Sequence, residues 1–185
     1  MDNPFLKVYP ITLSFELGRV DDPDDTGGRT KDGVTQKTYN QFRKALKRTS
    51  GDVFDMTDDE RQAVYFQIWR RNDCDSLPWR LAVTHFDMAF HSGGVHAAKI
   101  LQRALKVEDD GVIGSITIRA AVRPGSLVSS KQQLIERAKF LVRVILNRYF
   151  MFYKKTPDDF KGRKYAIKYA GGWFGRLFAL SRITG

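Results

Sequence analysis

The stretch of sequence that decides the fold is FELGRVDDPDDTGGRTKDGVT, residues 15–35. It joins an apolar, helix-compatible run, residues 5–15, to a helix predicted to begin near Gln36. The run is followed by a single carboxylate, Glu16, and then by a connection dense in Asp and Gly. Such a connection can hold one carboxyl group against apolar neighbours and leave others in water. Because burial raises the pKa of a carboxyl group, two acids at one site can then differ in protonation.

Three side chains of this stretch are the catalytic candidates. Asp25 lies nine residues after Glu16, and Thr30 follows Asp25 after five more. This order resembles the Glu, Asp and Thr layout of phage-type lysozymes, with one residue fewer between Asp and Thr. The resemblance is closer still to the muramidases of glycoside hydrolase family 108. The positions that match that signature in order are Glu16, Gly18, Val20, Asp22, Pro23, Asp25, Gly27, Gly28, Thr30, Lys31 and Gly33.

The chain departs from the family signature at four positions of the same stretch. Leu17 replaces a glycine, Asp21 an asparagine, Asp32 an aromatic residue and Val34 an isoleucine. We expect the Leu17 and Asp32 departures to affect the geometry of the loop and its contacts with substrate, whereas the acid at position 16 is retained.

The resemblance implies an N-acetylmuramidase, a lysozyme-like enzyme that hydrolyses the β-1,4 link between N-acetylmuramic acid and N-acetylglucosamine in peptidoglycan. Glu16 would be the general acid, Asp25 would stabilise the oxocarbenium-like sugar or activate water, and Thr30 would position that water. Asp22 is the rival second carboxylate. Inversion and retention both stay open, since the outcome depends on the separation of the two carboxylates.

The acidic stretch also has ordinary interpretations. A lone Glu at a helix end is usually a solvated charge, and several Asp in a row usually mark an exposed turn. A calcium loop is a further alternative, but counted from Asp22 its template needs an acid at the twelfth position, which is Gly33. We therefore reject calcium binding.

Further along the chain, the resemblance adds three candidates for substrate binding beside Asp22. Asp87 and His91 lie in a segment similar to the family's Asp-x-Ala-x-Asn-x-Gly, with His91 in place of the asparagine. Asp87 would either orient the catalytic loop or cap a backbone. Trp173, in a Gly-Trp-x-x-Arg motif, would stack on a sugar face or act as a buried anchor. Residues 100–117 are similar to peptidoglycan-binding repeats and would either bind the wall or only pack.

The composition argues against several other classes. The single cysteine, Cys74, excludes an intramolecular disulfide and a Cys-rich zinc cage. The three histidines are six and five residues apart, not the four of a helical zinc pair, so we expect no metal and no cofactor. No apolar run approaches 18 residues, and the N-terminus lacks the pattern of a secretion signal. The family includes phage endolysins released through a holin pore and bacterial relatives exported by a nonstandard route.

Helical periodicity dominates the rest of the chain, so the predicted fold is all-α with a small β-hairpin inside residues 19–35. Residues 1–92 would form the catalytic lobe and residues 93–185 a basic helical lobe, packed as one compact, monomeric unit. The predicted helices cover, approximately, residues 5–15, 35–47, 57–71, 76–91, 95–105, 115–122, 130–154 and 173–181.

Charge is divided unevenly between the two halves. Residues 1–92 carry 13 basic and 15 acidic side chains, and residues 93–185 carry 18 and 6. The basic half would attract an anionic wall polymer or outer-membrane surface. Three alternatives to the muramidase remain: a lytic transglycosylase, a non-catalytic wall-binding or secretion-accessory protein, and a nucleic-acid binder. The Asp cluster argues against the last, because it would repel phosphate.

We expect wall lysis to slow as ionic strength rises, because salt screens the attraction between the basic half and an anionic wall. Lytic rates measured on one wall preparation from low salt to about 0.3 M would test this, since screening is already strong at the upper end. A flat response would contradict the expectation.

Overall fold

The computed structural model of the chain describes residues 3–21, 28–123, 129–153 and 161–184, and it confirms a mainly α-helical fold. The helices, in chain order, are α1 Pro4–Ser14, α2 Gln36–Ala45, α3 Asp58–Arg71, α4 Trp79–Ser92, α5 Gly94–Leu105, α6 Ser115–Val122, α7 Ser129–Tyr153 and α8 Lys161–Thr184. Short 3-10 turns at Val53–Asp55 and Cys74–Ser76 connect α2 to α3 and α3 to α4.

The expected hairpin is present as part of a three-stranded antiparallel sheet with the order β1-β2-β3. The strands are β1 Arg19–Val20, β2 Thr30–Lys31 and β3 Val34–Thr35. The turn between β2 and β3 is formed by Asp32 and Gly33, which both have positive φ angles, 48° and 73°. Asp-Gly is a preferred pair for a two-residue hairpin turn that needs positive φ at both positions, which explains the hairpin.

Capping side chains set two helix starts, at the positions where the predicted helices 35–47 and 57–71 begin. The Thr35 side chain accepts a hydrogen bond from the Thr38 amide at the start of α2. At α3, Thr57 and Glu60 form a complete capping box, in which each side chain accepts from the other residue's amide at 3.2 Å.

Two predicted helix boundaries are wrong. The helix predicted from residue 76 begins at Trp79 instead, because Ser76 belongs to a 3-10 turn and Pro78 occupies the N-cap position without a side-chain cap. Helix α8 begins at Lys161, well before the predicted start near Trp173. Glycine is unfavourable inside a helix, but packing of α8 against α7 and α4 keeps the helix continuous through the two glycines before Trp173.

Helix α4 is the centre of the molecule. Every side chain from Leu81 to Ala89 is buried, and α1, α3, α5, α7 and α8 all pack against this helix. The Phe86 ring contacts Trp69 edge-on, with centroids 5.3 Å apart, and Phe5 at 6.2 Å. One buried hydrophobic cluster includes side chains from both halves of the chain. Because α4 lies at the centre of this core, polar residues on it, such as Asp87, are buried as well. The division into lobes at residue 92 stays a prediction.

The segment similar to peptidoglycan-binding repeats is held together by its own signature residues. The buried Gln102 amide donates to Asp110 at 2.7 Å and to the Val112 carbonyl at 2.9 Å, and its oxygen accepts from the Gly111 amide at 2.9 Å. Thr117 lies within 3.2 Å of the same amide nitrogen. These contacts join α5 to the turn before α6, which favours the packing alternative for this segment.

Within the part of the chain that the structure describes, no helix has the length and apolar character needed to cross a membrane.

The capping box of α3 provides a test of the fold. We expect Thr57→Ala to lower the free energy of unfolding by about 1 kcal/mol, because the Glu60 amide loses its partner. Chemical denaturation would measure this beside Thr49→Ala, an exposed threonine outside the helices, which should change stability by less than about 0.5 kcal/mol. Equal losses in the two variants would contradict a capping role.

Candidate active site

Glu16 lies in the turn that follows α1, where its amide donates to the Leu13 carbonyl at 2.9 Å. Its side chain is 18% exposed, so the carboxyl group is half-hidden rather than solvated. One wall around it is the β2–β3 turn. A Cβ atom built on Gly33 would come within 2.8 Å of Glu16 Oε2 and 2.6 Å of Phe90 Cε1. A glycine is therefore needed at this position both for its positive φ angle and for space.

Asp32, one of the departures from the family signature, fixes the turn beside Glu16. Its Oδ1 accepts from the Gly18 amide at 2.9 Å, and its own amide donates to the Gly18 carbonyl at 2.7 Å. Arg61 donates to Asp32 Oδ2 at 2.8 Å, and the buried Tyr65 hydroxyl donates to the Asp32 carbonyl at 2.8 Å. The carboxylate thus ties the hairpin turn to the backbone just after Glu16 and to α3.

The Glu16 carboxyl faces a cleft of about 460 Å³ between the small sheet and α8. The residues around the cleft are Phe15, Glu16, Leu17, Gly18, Arg19, Val20, Thr30, Gly33, His91, Gly172, Trp173 and Arg176. The His91 and Trp173 rings meet edge-on, 5.6 Å apart with an interplanar angle of 85°. Burial lowers the pKa of His91 to about 4, so this imidazole is neutral at neutral pH.

A buried cluster of charges lies behind Glu16. The Arg176 Nη1 atom donates to Glu16, while Nε and Nη2 of the same guanidinium donate to the two oxygens of Asp87 at 2.7–3.0 Å. Arg137 of α7 donates to the same Asp87 at 2.5 Å. The Arg176 guanidinium also lies 4.9 Å from the centre of the Phe15 ring, a favourable cation–π distance.

These surroundings act on the Glu16 proton in opposite directions. Burial raises the pKa of the Glu16 carboxyl, the adjacent Arg176 lowers it, and the charge of Asp87 raises it again. Burial prevails, and the pKa lies above its ordinary value. A carboxyl group in this state can hold a proton at a higher pH than a solvated glutamate.

Asp87 does not lie where substrate contact would require it. Its side chain has no exposed surface and is fully engaged by Arg137 and Arg176. A group without exposed surface cannot touch a substrate, so the prediction of Asp87 as a substrate-binding residue is corrected. The charges of the two arginines outweigh the effect of burial and hold the pKa of Asp87 below its ordinary range.

The other predicted site residues fall into two groups. Thr30, His91 and Trp173 border the cleft together with Glu16, and the Thr30 hydroxyl donates to the Gly28 carbonyl at 2.9 Å. Asp22 and Asp25 lie outside the described residues. Their roles therefore stay predictions.

The chain on either side of residues 22–27 is tied to one anchor, Arg29. This side chain donates to Asp21 at 2.7 Å and makes a bidentate contact with Asp52 at 2.7 and 3.1 Å. Its guanidinium also lies 4.0 Å from the centre of the Phe54 ring. The two ends of the acidic segment are thereby held together and fixed to the turn at Val53–Asp55.

Two residues of the charge cluster were not predicted from the sequence. Arg176 ends the Gly-Trp-x-x-Arg motif that singled out Trp173, so a signal for it was present. Arg137 lies in the middle of α7 with no local pattern to distinguish it from other basic residues. Among the described residues, no three His, Cys, Asp or Glu side chains are grouped closely enough to hold a metal ion.

A half-buried carboxyl group with a raised pKa, opening onto a cleft in a helical protein, is the arrangement that a glycoside hydrolase needs for its general acid. The family model described as Glycosyl hydrolase 108 matches residues 9–93 of this chain. The matched region includes Glu16, Thr30 and His91 but ends before α7 and α8.

A solved structure described as that of Brucella abortus SagA is similar to this chain over nearly its whole length. The two chains are 27% identical, with a TM-score of 0.72, and the similarity covers 96% of this chain and 92% of the other. No curated protein gives a significant match.

The contact between Gly33 and Glu16 can be tested by adding one methyl group. We expect Gly33→Ala to destabilise the protein by about 1–3 kcal/mol more than Gly28→Ala, measured by chemical denaturation. Both glycines have positive φ, so both substitutions introduce backbone strain. A Cβ at Gly28 meets nothing within 4 Å, whereas a Cβ at Gly33 approaches Glu16 and Phe90 closely. Equal destabilisation would mean that the close approach to Glu16 is unimportant.

Proposed function

We propose that the protein is a peptidoglycan hydrolase, a lysozyme-like N-acetylmuramidase in which Glu16 is the general acid. The observation that carries this proposal is the position of the Glu16 carboxyl: half-buried, raised in pKa and facing the cleft. An acid of this kind donates its proton to the glycosidic oxygen as the bond to the leaving sugar breaks.

Substrate binding would help to keep this acid protonated. A sugar chain in the cleft displaces water from Glu16, and the loss of water disfavours the charged carboxylate further. Arg176 stays behind, because Asp87 holds two of its nitrogens, so Glu16 can leave the arginine and approach the glycosidic oxygen. Glu16 then donates its proton at a greater distance from Arg176, which stays bound to Asp87.

The second carboxylate in this mechanism is Asp25, with Asp22 as the rival. It would stabilise the oxocarbenium-like sugar or act as base on water, and the Thr30 hydroxyl would position that water. The anchoring of Asp21 and Arg29 at the two ends of the acidic segment supports a role at the cleft, since Thr30 directly follows this anchor and borders the cleft.

The Trp173 ring is the group best suited to bind a sugar. Aromatic rings offer a flat apolar face to the C–H groups of a pyranose. The neutral His91 imidazole touches the edge of this ring and offers hydrogen bonds to hydroxyl or acetamido groups. The basic C-terminal half would attract the anionic wall or outer membrane. The protein would act there after release through a holin-type pore or by a nonstandard route.

We expect Glu16→Gln to reduce lysis of purified peptidoglycan by about 10²–10⁴-fold, because the amide is nearly isosteric and has no proton to donate. The matched control is Glu108→Gln, an exposed acid, which should keep the wild-type rate. Circular dichroism of both variants would verify that they fold.

Mass spectrometry of the digested wall separates the alternatives in the same experiment. Hydrolysis after N-acetylmuramic acid yields reducing muramic ends, whereas a lytic transglycosylase yields anhydromuramic ends. Wall binding without any released ends would identify a non-catalytic wall-binding protein. Wild-type rates in Glu16→Gln would refute the assignment of the acid.

A further inference from the structure

We propose that Asp87 is a positioning residue for the acid: it holds the Arg176 guanidinium in place and takes up part of its charge, so that Glu16 can keep its proton. This proposal rests on the proposed role of Glu16. It assigns a function to a wholly buried carboxylate that cannot meet the substrate itself.

The geometry divides the Arg176 guanidinium between two carboxyl groups. Nε and Nη2 bind Asp87 in a bidentate contact, with distances from 2.7 to 3.0 Å, and only Nη1 is directed at Glu16. Bidentate pairs of this kind are the stronger and more directional ones. Arg176 is therefore bound mainly to Asp87, and Glu16 receives the remaining donor.

The net charge of the buried cluster determines how strongly it favours the ionised form of Glu16. Without Glu16, the cluster of Asp87, Arg137 and Arg176 carries a net charge of one positive unit. Removing the Asp87 charge would leave two arginines beside Glu16 and favour its ionised form. Removing the Arg137 charge would leave a neutral pair and favour the protonated form. Asp87 and Arg137 thus act on the Glu16 proton in opposite directions, although neither contacts the cleft.

The other described groups around Glu16 are neutral, paired or exposed, so the charge balance is set mainly by the cluster. On α4, His91 is neutral at neutral pH because burial lowers its pKa to about 4. On α3, Tyr65 is neutral as well, since burial raises its pKa. At the β2–β3 turn, Asp32 is paired with Arg61 at 2.8 Å. Among the described residues that border the cleft, the other cation is Arg19 of the small sheet, an exposed residue that donates to the Phe54 carbonyl at 3.2 Å.

The test is a charge cycle on Asp87→Asn and Arg137→Gln, singly and together. The readout is the pKa of Glu16, followed by carbon-13 NMR of its carboxyl group and assigned by the signal that disappears in Glu16→Gln. We expect Asp87→Asn to lower this pKa by about 1 unit and Arg137→Gln to raise it by about 1 unit. The double variant restores a single positive charge and should return to near the wild-type value.

The lytic pH profile should follow the same order. Because the protonated acid is the active form, the alkaline limb of kcat/KM lies at the Glu16 pKa. It should move to lower pH in Asp87→Asn and to higher pH in Arg137→Gln. Arg137→Lys keeps the positive charge and is the matched control, which should leave the limb near its wild-type position.

Opposite shifts of the Glu16 pKa in the two single variants, with recovery in the double variant, would support the proposal. A merely structural role would lower activity without shifting this pKa in opposite directions. Unchanged pKa values, or shifts of the same sign in both single variants, would overturn the proposal. If Asp87→Asn does not fold, Arg137→Gln beside Arg137→Lys decides the matter. A wild-type protein without lytic activity would refute the proposed function, while the NMR titration would still test the cluster.

Discussion

The guanidinium of Arg176 is the contact on which the site depends. It joins the turn after α1, through Glu16, to the central helix α4, through Asp87, and it does so from α8 near the end of the chain. All three side chains are wholly or largely shielded from water. Removal of one partner from a buried pair typically costs about 3–5 kcal/mol, since a charge is left without compensation. The position of the acid and the packing of the last helix are therefore one structural feature.

The same contact raises an apparent conflict with the proposed role of Glu16 as a general acid. A cation next to a carboxyl group normally lowers its pKa by about 1–3 units, which would leave a general acid without its proton. Two features counter this effect here. Glu16 is desolvated by the β2–β3 turn and Phe90, and the arginine is already neutralised in large part by Asp87. The acid is held firmly by a cation whose electrostatic effect on it is reduced.

Much of the fold was predictable because it depends on interactions between residues that are close in sequence. Thr35 and the Thr57 capping box mark helix starts through contacts three residues away, and Asp32-Gly33 predicts a tight hairpin through backbone conformation alone. These signals act within a few residues of chain, which is the range that sequence patterns report. The start of α8 was missed for the complementary reason, because the helix is stabilised by packing against α7, which no local pattern reports.

The charge cluster illustrates what sequence patterns do not contain. Glu16 and Arg176 are 160 residues apart, and Asp87 is 50 residues from Arg137. Nothing in the spacing of Asp87 indicates that its side chain is buried, so a carboxylate in a family-like segment was predicted to bind substrate. Its true surroundings are set by five helices that pack on α4. The resemblance to a known family singles out Glu16 as the proposed acid, but only the tertiary structure identifies the charges that act on it.

Both halves of the chain contribute residues to the cleft. The region matched by the family model, residues 9–93, supplies the acid, the small sheet and His91, but Trp173 and Arg176 come from α8. The segment similar to peptidoglycan-binding repeats uses Gln102 and Asp110 to stabilise its own turn. The C-terminal half therefore contributes to the cleft itself: it provides one wall and the cation behind the acid. A protein shortened to the matched region would retain the carboxyl group and Asp87 but lose Arg137, Arg176 and the helix that forms one wall of the cleft.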